Sequence, residues 1–575
     1  MNEGQLILRI DMKRKKILKQ MVPEKYFLLG GRGLTSKILL DEVDPTCEPL
    51  GYKNKLIIAP GLLGGTSAPC SGRLSIGGKS PLTGGIKESN SGGTAAIKLA
   101  KLGVKAVIIE NIPEDNEWYS IKIGFNKIEI ITDKDIIGAD NYETVEYYQK
   151  KYGNKIAVIS IGPAGENKYQ AASISITDME GLPTRHCARG GLGALMGSKK
   201  LKAILIDDTE ALGVEIKDKI RFKQIAKEWI KTLVSTKKVL TEYGTANLVE
   251  PMNTLGCMPT NNFSYGTFKG ASLINANKLQ EIIKQRGGKQ GIPCHPGCVI
   301  KCSKNFNDIN GIYLTSGLEY ETLALLGANC GIDDLDIIAQ MNRFCDDIGV
   351  DTMEMGVTLG VIMESGLINF GDGKEALKLL QQIRQKTILG RLIAQGAALT
   401  GKVLGVKRIP VVKNQGLSGY DPRGAKGTGV TYITSSQGAD HTAGNCLPGR
   451  IGFRPETSKI LDTQKPEGQA DLSLDLQIMT AVCDFAGLCF FVGSTKETME
   501  ITAELINAKY GTGLDINSII EMGKEVLRTE REFNRKAGFT NIDDQLPEFF
   551  YNEKLTPKNL EFDVPKEEVD KALDF

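Results

Sequence analysis

Three closely spaced cysteines constrain what this chain can fold into more than any other feature. Cys294, Cys298 and Cys302 follow one another in a C-x3-C-x3-C arrangement. Thiolates this close in sequence suit a soft metal centre, either an iron–sulfur cluster or zinc. A continuous helix would hold the first and last roughly 12 Å apart, at ~1.5 Å per residue, which is too far for one cluster. Because Pro296 and Gly297 would interrupt a helix here, the spacing predicts a metal-binding loop whose fourth ligand comes from elsewhere.

The composition is that of an ordinary protein of several domains. The chain has 575 residues, is 41% hydrophobic and carries a net charge of +2, which gives no reason to expect nucleic acid or an anionic membrane surface as a partner. No apolar run reaches membrane-spanning length, and the N-terminus lacks an export signal, which favours a cytoplasmic location. The twelve cysteines are therefore predicted to be metal ligands and reduced core thiols rather than disulfides.

Hydrophobic patterns divide the chain into a β-rich part and two helical parts. Residues 1–210 contain short strand-like runs, beginning with a hairpin over 5–21, and are predicted to form a β-rich domain. Helical spacing dominates residues 211–403, which are predicted to form a second domain. Residues 404–575 are predicted to form a third, mainly helical domain with a long glycine-rich loop over 404–470. No repeat at solenoid period is visible.

Some of the predicted elements are long. One strand-like run covers residues 121–131, and one helical pattern covers residues 373–399. The charged, proline-containing tail from Asn541 is predicted to pack on the surface.

Glycine-rich groups in the β-rich part indicate cradles for phosphate. They are residues 30–33, 89–93 and 185–193, the last of which contains two arginines, and Arg73 lies in the same part. Exposed backbone amides and guanidinium groups both suit phosphate. Each group alone is more commonly a tight turn, but three together favour a large phosphorylated cofactor.

Two similar motifs follow helical patterns in the C-terminal parts. Residues 346–351 and 484–489 both fit D-x-x-G-[LV]-[DC]. The glycine permits a sharp turn at the end of a helix, and the aspartate can accept hydrogen bonds from an aminopyrimidine ring. Either motif alone would be taken as a helix end with an exposed acid. Their pairing favours cofactor binding and makes Cys489, which ends the second motif, the candidate fourth ligand of the metal.

Three residues are candidates for acid–base catalysis. Glu319 and Glu321 begin an otherwise apolar helix, where acids more often serve only to stabilise the N-terminus. His441 is the only histidine of the glycine-rich loop. A lone histidine is more often structural, but its place in a long loop makes a catalytic role equally attractive.

Together these motifs resemble the aldehyde ferredoxin oxidoreductase family of tungsten-pterin enzymes, over most of the chain. The resemblance is carried by both D-x-x-G motifs and by residues 30–33, 40–43, 79–84, 190–199, 202–204, 319–322 and 329–334. It implies an α+β fold, in which a β-rich N-terminal pterin-binding domain is followed by two mainly helical domains, with the cofactor at their interface.

The resemblance also implies cofactors and their ligands. These are tungsten (or molybdenum) held by two pterins, one 4Fe–4S cluster, and Mg as a candidate bridge between the pterin phosphates. The cluster ligands would be Cys294, Cys298, Cys302 and Cys489. Glu321 and His441 would be catalytic, with Glu319 as the competing acid. The pterin contacts would be Arg73, Asn90, Gly92, Arg185, His186, Ala188, Arg189, Asp346, Val350, Asp351, Asp484 and Phe490.

This sequence departs from the family pattern in two places. The family often spaces its cysteines C-x2-C-x3-C, whereas here one more residue stands between Cys294 and Cys298. The first D-x-x-G motif has Val350 where leucine is usual.

The function implied is oxidation of an aldehyde to the carboxylic acid, with electrons passing through the cluster to ferredoxin or to iron–sulfur or flavin subunits. A homodimer is among the assemblies the resemblance allows. The nearest alternative is a low-potential reductase of an acyl-CoA or related carbonyl. A radical S-adenosylmethionine enzyme is more remote, since that class uses C-x3-C-x2-C, and a zinc-stapled module without activity is more remote still.

Overall fold

Two six-stranded β-sheets make up the N-terminal part of the protein, whose computed structural model describes residues 5–573. The strands of the first sheet are β1 (Leu6–Asp11), β2 (Lys16–Met21), β3 (Leu56–Pro60), β4 (Leu74–Lys79), β5 (Ile86–Ser91) and β6 (Val104–Glu110). Those of the second are β7 (Trp118–Gly124), β8 (Ile128–Asp133), β9 (Ala157–Ser160), β10 (Ile174–Ile176), β11 (Arg185–Cys187) and β12 (Leu201–Asp207).

The second sheet repeats the first, strand for strand. The strand orders are β2-β1-β6-β3-β4-β5 and β8-β7-β12-β9-β10-β11. In each sheet one pair is parallel, β1 with β6 and β7 with β12, and the other neighbours are antiparallel. The apolar faces of both sheets contribute to one core, which includes Ile58 and Ile76 of the first and Ile159 and Ile204 of the second. The N-terminal part is therefore a structural duplication.

The helices of this part obey the same repeat. They are α1 (Gly31–Glu42), α2 (Ala95–Lys101), α3 (Asn141–Tyr152), α4 (Pro163–Glu166) and α5 (Leu192–Ser198). Helices α1 and α3 follow the first hairpin of their sheets, whereas α2 and α5 precede the last strand. The glycine-rich residues 89–93 and 185–193 occupy equivalent places, each where the fifth strand of a sheet leads towards the helix that follows it.

The rest of the described chain is mainly helical, with two short β-hairpins, β13 (Asn305–Asn307) with β14 (Tyr313–Ser316) and β15 (Val411–Val412) with β16 (Gln415–Gly416). The first helices are α6 (Lys219–Thr236), α7 (Lys238–Tyr243), α8 (Val249–Leu255), α9 (Ala271–Ile274), α10 (Ala276–Gln285), α11 (Tyr320–Thr322, continued by a π-helical turn over Leu323–Gly327), α12 (Leu335–Ile348), α13 (Thr352–Glu364), α14 (Gly373–Gln385), α15 (Ile388–Ile393) and α16 (Ala397–Val403). The remaining helices are α17 (Lys426–Thr434), α18 (Gln469–Ala486), α19 (Lys496–Tyr510), α20 (Ile516–Lys536), α21 (Phe549–Asn552) and α22 (Lys566–Lys571).

This architecture confirms the predicted fold class, a β-rich domain followed by mainly helical structure. The predicted hairpin over 5–21 is confirmed as β1 and β2. The predicted domain boundaries at 210 and 403 stay predictions. Among residues 5–573, no helix has the length and apolar character that crossing a membrane requires.

Several element predictions are wrong in detail. The run 121–131 is not one strand but parts of the antiparallel pair β7 and β8. The pattern 373–399 is three helices, because Thr387 caps a new helix start and Gly396, at φ 89°, leads into the last. The loop 404–470 contains the buried helix α17, whose burial on all sides removes the usual amphipathic pattern.

The C-terminal tail is more deeply packed than predicted. Phe550 is fully buried and Phe562 is 3% exposed, and both belong to the largest core cluster. The buried guanidinium of Arg423 lies 5.1 Å from the ring centre of Phe550. The tail therefore completes the core rather than covering its surface.

Candidate metal and cofactor site

The cysteine segment forms a closed loop, as predicted from Pro296 and Gly297. The loop is closed at its base by two backbone hydrogen bonds between Ile292 and Ser303, of 3.0 and 3.2 Å. Within it, the Cys298 N–H donates to the carbonyl of His295 at 3.2 Å, and Gly297 has a φ of 80°. The left-handed glycine is what turns the chain back, since a residue with a Cβ would be strained there.

Two of the thiols that the sequence singled out, those of Cys294 and Cys298, lie close together at this loop. The ligand atoms of Cys294, His295 and Cys298 lie within 4.8 Å of one another, and all three residues are buried. Cys302 interacts electrostatically with both Cys298 and Cys489. Hydrogen bonds from Cys294 and Cys70 stabilise the Cys298 thiolate and lower its pKa. Two thiols and an imidazole therefore lie close enough to share one metal centre, and Cys302 and Cys489 lie near enough for their charges to interact.

Cys70 is a thiol at this centre that the sequence analysis missed. Its backbone N–H donates to the carbonyl of Gly297 at 3.0 Å, and its own carbonyl accepts from the N–H of Cys489 at 2.9 Å. It adopts a φ of 57°, which is unusual for a residue with a side chain. Cys70 thus joins the cysteine loop to the end of the second D-x-x-G motif. Its only signal in the sequence is the neighbouring Arg73, three residues on.

Both D-x-x-G motifs end helices as predicted. Gly349 follows α12 with a φ of 73°, and Gly487 follows α18 with a φ of 81°. Each turn packs on the glycine that follows the third strand of one sheet. A Cβ added to Gly61 would lie 2.1 Å from the backbone nitrogen of Gly487, and one added to Gly162 would lie 2.4 Å from the carbonyl oxygen of Ile348. Each sheet therefore carries one motif on an equivalent turn.

The aspartate of the second motif lies in a buried polar network. Asp484 contacts Arg32 at 3.1 Å and accepts from Asn90 at 3.2 Å. Arg73 donates to Asn90 through Nε at 2.7 Å, and Arg32 makes two hydrogen bonds of 2.8 Å with Glu530. Burial raises the pKa of Asp484 to about 6, against the lowering effect of Arg32. Arg32 and Glu530 were not predicted, although Arg32 lies within the first glycine-rich group.

The aspartate of the first motif has different partners. Asp346 lies 3.3 Å from Nε2 of His186 and accepts from Asn342 at 3.1 Å. Nε2 of His186 also lies 3.0 Å from the carbonyl of Pro183, which can only accept, so this nitrogen carries the hydrogen. Burial lowers the pKa of His186 to about 4, and the imidazole is neutral at pH 7.

The two predicted phosphate-binding arginines of the third glycine-rich group make different contacts, and Arg189 lines the cavity described below. Arg189 donates to the carbonyls of Gly416 and Ala439, both at 2.5 Å, and contacts Asp351 at 3.2 Å, so it fastens the glycine-rich loop. Arg185 donates to Ser303 at 2.7 Å, beside the cysteine loop, and its buried Nε has no hydrogen-bond partner.

The candidate catalytic residues His441 and Glu321 meet. Nε2 of His441 lies 3.2 Å from one carboxylate oxygen of Glu321, whose other oxygen accepts from the N–H of Gly419 at 2.6 Å. Nδ1 of His441 lies 3.0 Å from Oγ of Ser418. Glu319 is held elsewhere, by the hydroxyl of Thr245, and its charge acts on Cys302. The structure therefore separates two acids that the sequence could not.

A cavity of about 130 Å³ lies between these groups. It is several times the space of roughly 10–15 Å³ that one water needs. Residues from both sheets and both helical parts line it: Arg32, Arg73, Glu88, Ser89, Asn90, His186, Ala188, Arg189, Met353, Gln437, Asp440, His441, Thr442, Ala443 and Asp484.

The other predicted contacts have different surroundings. An added Cβ on Gly92 would lie 3.0 Å from Sγ of Cys294, so the glycine-rich turn after β5 touches a predicted cluster ligand. Val350 is buried and pairs with Ala172 through an isolated β-bridge. The ring of Phe490 lies 5.1 Å from the guanidinium carbon of Arg450. Lys87, which donates to Asp440 at 3.1 Å, was missed because a single lysine in a strand carries no motif.

Two family models match almost all of the chain. The N-terminal domain of aldehyde ferredoxin oxidoreductase matches residues 7–208, and its domains 2 and 3 match residues 222–574. The chain belongs to the aldehyde ferredoxin oxidoreductase family. It is an oxidoreductase of a tungsten-containing family, as the sequence analysis predicted.

Individual relatives match the chain over most of their length. The chain is 34% identical to the tungsten-containing aldehyde ferredoxin oxidoreductase of Pyrococcus horikoshii, covering 96% of this chain and 91% of that protein. It is 28% identical to an aliphatic sulfonate oxidoreductase, WOR-like subunit, of Pyrococcus furiosus, covering 91% and 85%. The active-site complex BamBC of benzoyl coenzyme A reductase superposes with a TM-score of 0.81 at 18% identity, covering 99% and 93%, which shows the shared fold.

The residues present fit the tungsten-pterin group and the cluster that the family implies. Soft sulfur donors converge at the cysteine loop. Glu88 Oε1, Arg185 Nε, His295 Nε2 and Glu321 Oε1 are, among the described residues, buried side-chain atoms without a hydrogen-bond partner. Buried polar groups are normally paired, so these orphaned atoms indicate partners supplied by a bound group.

Proposed function

We propose that this protein oxidises an aldehyde to the carboxylic acid, with water as the oxygen source. The observation that carries the proposal is the contact of His441 with Glu321 at 3.2 Å, beside a cavity that both duplicated halves line. The balanced reaction takes one aldehyde and one water to one carboxylic acid, two protons and two electrons. The names of the relatives that are 34% identical over most of the chain support the aldehyde as substrate.

The bound tungsten-pterin group would supply two-electron chemistry, and the cluster would carry the electrons away singly to ferredoxin or a partner subunit. The group would be held by Asp346 and Asp351 on one side and by Asp484, Asn90 and Arg73 on the other. Cys294, Cys298, Cys302 and Cys489 are the proposed cluster ligands. Mg between the pterin phosphates remains part of this proposal.

The two catalytic residues have separate tasks. Glu321 accepts a proton from water, because the carboxylate oxygen facing His441 is not occupied by a hydrogen bond. The N–H of Gly419 holds the other oxygen and fixes the orientation of the carboxylate. Nε2 of His441 donates to the carbonyl oxygen of the aldehyde, and Ser418 orients the ring through Nδ1. General acid–base steps of this kind contribute roughly 10²–10⁴-fold to the rate.

Substitution of Glu321 and of Glu319 tests which of these two acids is catalytic. In Glu321→Gln we expect kcat to fall by about 10²–10⁴-fold while tungsten, iron and sulfide contents stay at wild-type values. Glu319→Gln is the matched control, two residues away, and should keep kcat within a few-fold. Full turnover in Glu321→Gln, or an equal loss in Glu319→Gln, would contradict the assignment.

The fold shared with benzoyl coenzyme A reductase supports one alternative function, that of a low-potential reductase of an acyl-CoA. Assays in both directions separate the two, with aldehydes and an oxidised viologen dye in one arm and aromatic acyl-CoA with a strong reductant in the other. We expect turnover only in the first. Activity confined to the second arm would make the alternative the correct function. Family membership gives the radical alternative no support.

A further inference from the structure

A second and larger cavity, of about 620 Å³, lies away from the candidate metal and cofactor site. Its walls come from α2, from residues 212–219 before and at the start of α6, and from the end of α19. It shares no lining residue with the cavity beside His441. Pockets for small molecules typically have volumes of roughly 300–1,000 Å³, so this cavity is large enough to bind one.

Two buried lysines lie at the inner end of this cavity. Lys509 lines it, and Lys105 and Lys509 together line a recess of about 10 Å³ behind it. The two residues are only 5% and 6% exposed. Each ammonium group donates one hydrogen bond, Lys105 to the carbonyl of Phe27 at 2.9 Å and Lys509 to that of Leu62 at 2.5 Å. Since an ammonium group has three hydrogens, each lysine keeps two without a partner among residues 5–573.

Other buried lysines of this protein are better compensated. Lys202 contacts Glu166 at 2.5 Å, and Lys199 donates to two backbone carbonyls, at 2.6 and 3.2 Å. Lysine is rarely buried without a partner because taking its charge out of water is costly. Burial lowers the pKa of Lys509 to about 7 and holds that of Lys105 well below its ordinary value, with no carboxylate to oppose the effect. The pair therefore lacks an anion.

The outer part of the cavity adds positive charge and apolar surface. Lys217 and Lys219 line it, both are exposed, and neither forms an ion pair with another described residue. Among the described residues of the lining, Glu215 is the one acid. Phe125 and Leu212 also line the cavity and are 41% and 89% exposed. Lysine ammonium groups bind phosphate as compact point charges, and the apolar side chains suit an organic group.

We propose that this cavity binds a small organic phosphate, with the phosphate facing Lys509 and the organic part against Phe125 and Leu212. Lys217 and Lys219 would hold the outer phosphate oxygens. The site is separate from the catalytic residues of the proposed function and takes no part in the redox reaction.

Isothermal titration calorimetry of the intact enzyme tests the proposal. The probes are adenosine 5′-diphosphate (ADP) and pyrophosphate, at constant ionic strength, with adenosine as the uncharged control. The tungsten-loaded enzyme is used, so that the cavity proposed for the pterin is not free to bind a probe. We expect ADP to bind more tightly than adenosine. The double variant Lys217→Ser/Lys219→Ser should weaken ADP binding by about 10-fold or more, because each substitution removes a charged donor.

A lysine on the same helix provides the matched control. Lys231 is exposed on α6, twelve residues after Lys219 and therefore roughly 18 Å away at ~1.5 Å per residue. Lys231→Ser should bind ADP as the wild type does. Equal weakening in this control would show that the lysines act only through the overall charge of the surface, and would overturn the proposed site.

Thermal unfolding of Lys509→Met separates anion binding from a purely structural role. ADP should raise the Tm of the wild type, as a ligand of the folded state does, and should not raise that of the variant. Without ADP the variant should be at least as stable as the wild type, because an uncompensated buried ammonium group is gone and the hydroxyl of Tyr510 still donates to the carbonyl of Leu62 at 3.2 Å. A lower Tm in the variant, with the effect of ADP retained, would make Lys509 structural and contradict the proposal.

Two further results would overturn the proposal. One is the absence of binding by both ADP and pyrophosphate at millimolar concentration, and the other is equally tight binding of ADP and adenosine. Both would leave the proposed function intact, because none of these lysines lines the cavity beside His441. Loss of the proposed function, for example through full turnover in Glu321→Gln, would in turn leave this site untouched.

Discussion

The two duplicated halves of the N-terminal part, each built on one six-stranded sheet, share a backbone plan but not their chemistry. In each half a six-stranded sheet presents a glycine turn, Gly61 or Gly162, to one D-x-x-G motif. In the first half the motif aspartate, Asp484, meets arginine and asparagine side chains, and the motif ends in a cysteine. In the second half the equivalent Asp346 meets a neutral histidine.

The residue that ends each D-x-x-G motif gives the two halves different roles. The motif of the second half ends in Asp351, which caps α13 and contacts Arg189, so this half is tied to the helical core. The motif of the first half ends in Cys489, whose N–H is bound to Cys70 beside the cysteine loop. Only the first half therefore touches the proposed cluster through its motif, and the route for electrons should leave through it.

The largest expected effect comes from substituting Cys489, because only the motif that packs on the first half ends in a cysteine. Cys489→Ala should lower turnover by at least about 100-fold, since even outer partners of metal ligands cost 10–100-fold. Iron content is measured beside activity. Asp351→Asn, the matched position of the second half, should keep its iron. Equal loss of iron in both variants would contradict the asymmetry. Full iron with full turnover in Cys489→Ala would show that this cysteine is not a cluster ligand.

The next largest effect is expected at Gly61 and Gly162, the glycines on which the two D-x-x-G turns pack. Gly61→Ala and Gly162→Ala should each destabilise the protein by about 3 kcal/mol or more, because the added methyl group meets backbone that cannot move aside. Thermal unfolding of the intact enzyme measures both. Gly513→Ala is the control, since nothing lies within 4 Å of its added Cβ and, like Gly61 and Gly162, Gly513 does not have a left-handed φ. A small effect in only one half would show that the two turns are not equivalent.

The smallest effect concerns the histidine of the second half. Burial holds the pKa of His186 at about 4 in the folded protein, below the ordinary value of 6.5, so the unfolded chain binds more protons between these values. Stability contributed by the neutral ring is therefore complete above pH 6.5 and is lost as the pH falls to 4, by about 3 kcal/mol.

His186→Gln should remove this dependence, because glutamine does not titrate and can still donate to the carbonyl of Pro183. Denaturant unfolding of wild type and variant is compared between about pH 4 and about pH 7.5, with the two expected to agree most closely at the upper end. Parallel curves over the whole range would mean that another group carries the acid sensitivity.

The duplication shows what sequence patterns miss. The glycine-rich residues 89–93 overlap the end of strand β5, and residues 185–193 contain all of β11; the alternation of apolar and polar residues reveals neither strand. Buried polar residues such as Lys87 and Glu88 break that alternation in β5. Strand pairing is decided by residues far apart in the chain, so the equivalence of the two sheets appears only when they are assembled.

Features with a local cause could be predicted from the sequence alone. Proline and glycine between the cysteines determined the loop, and glycine after each D-x-x motif determined a helix end, because backbone sterics act over a few residues. The three-cysteine spacing also indicated a soft metal centre before any fold was known.

Which of these groups contact one another depends on the tertiary structure. It brought Glu321 rather than Glu319 to His441, bound Arg189 to two backbone carbonyls, and placed Cys70 and His295 among the thiols of the cysteine loop. These outcomes depend on contacts between residues far apart in the chain and on burial, which changes the pKa values and leaves polar atoms unpaired. Neither burial nor such contacts are encoded in a local pattern.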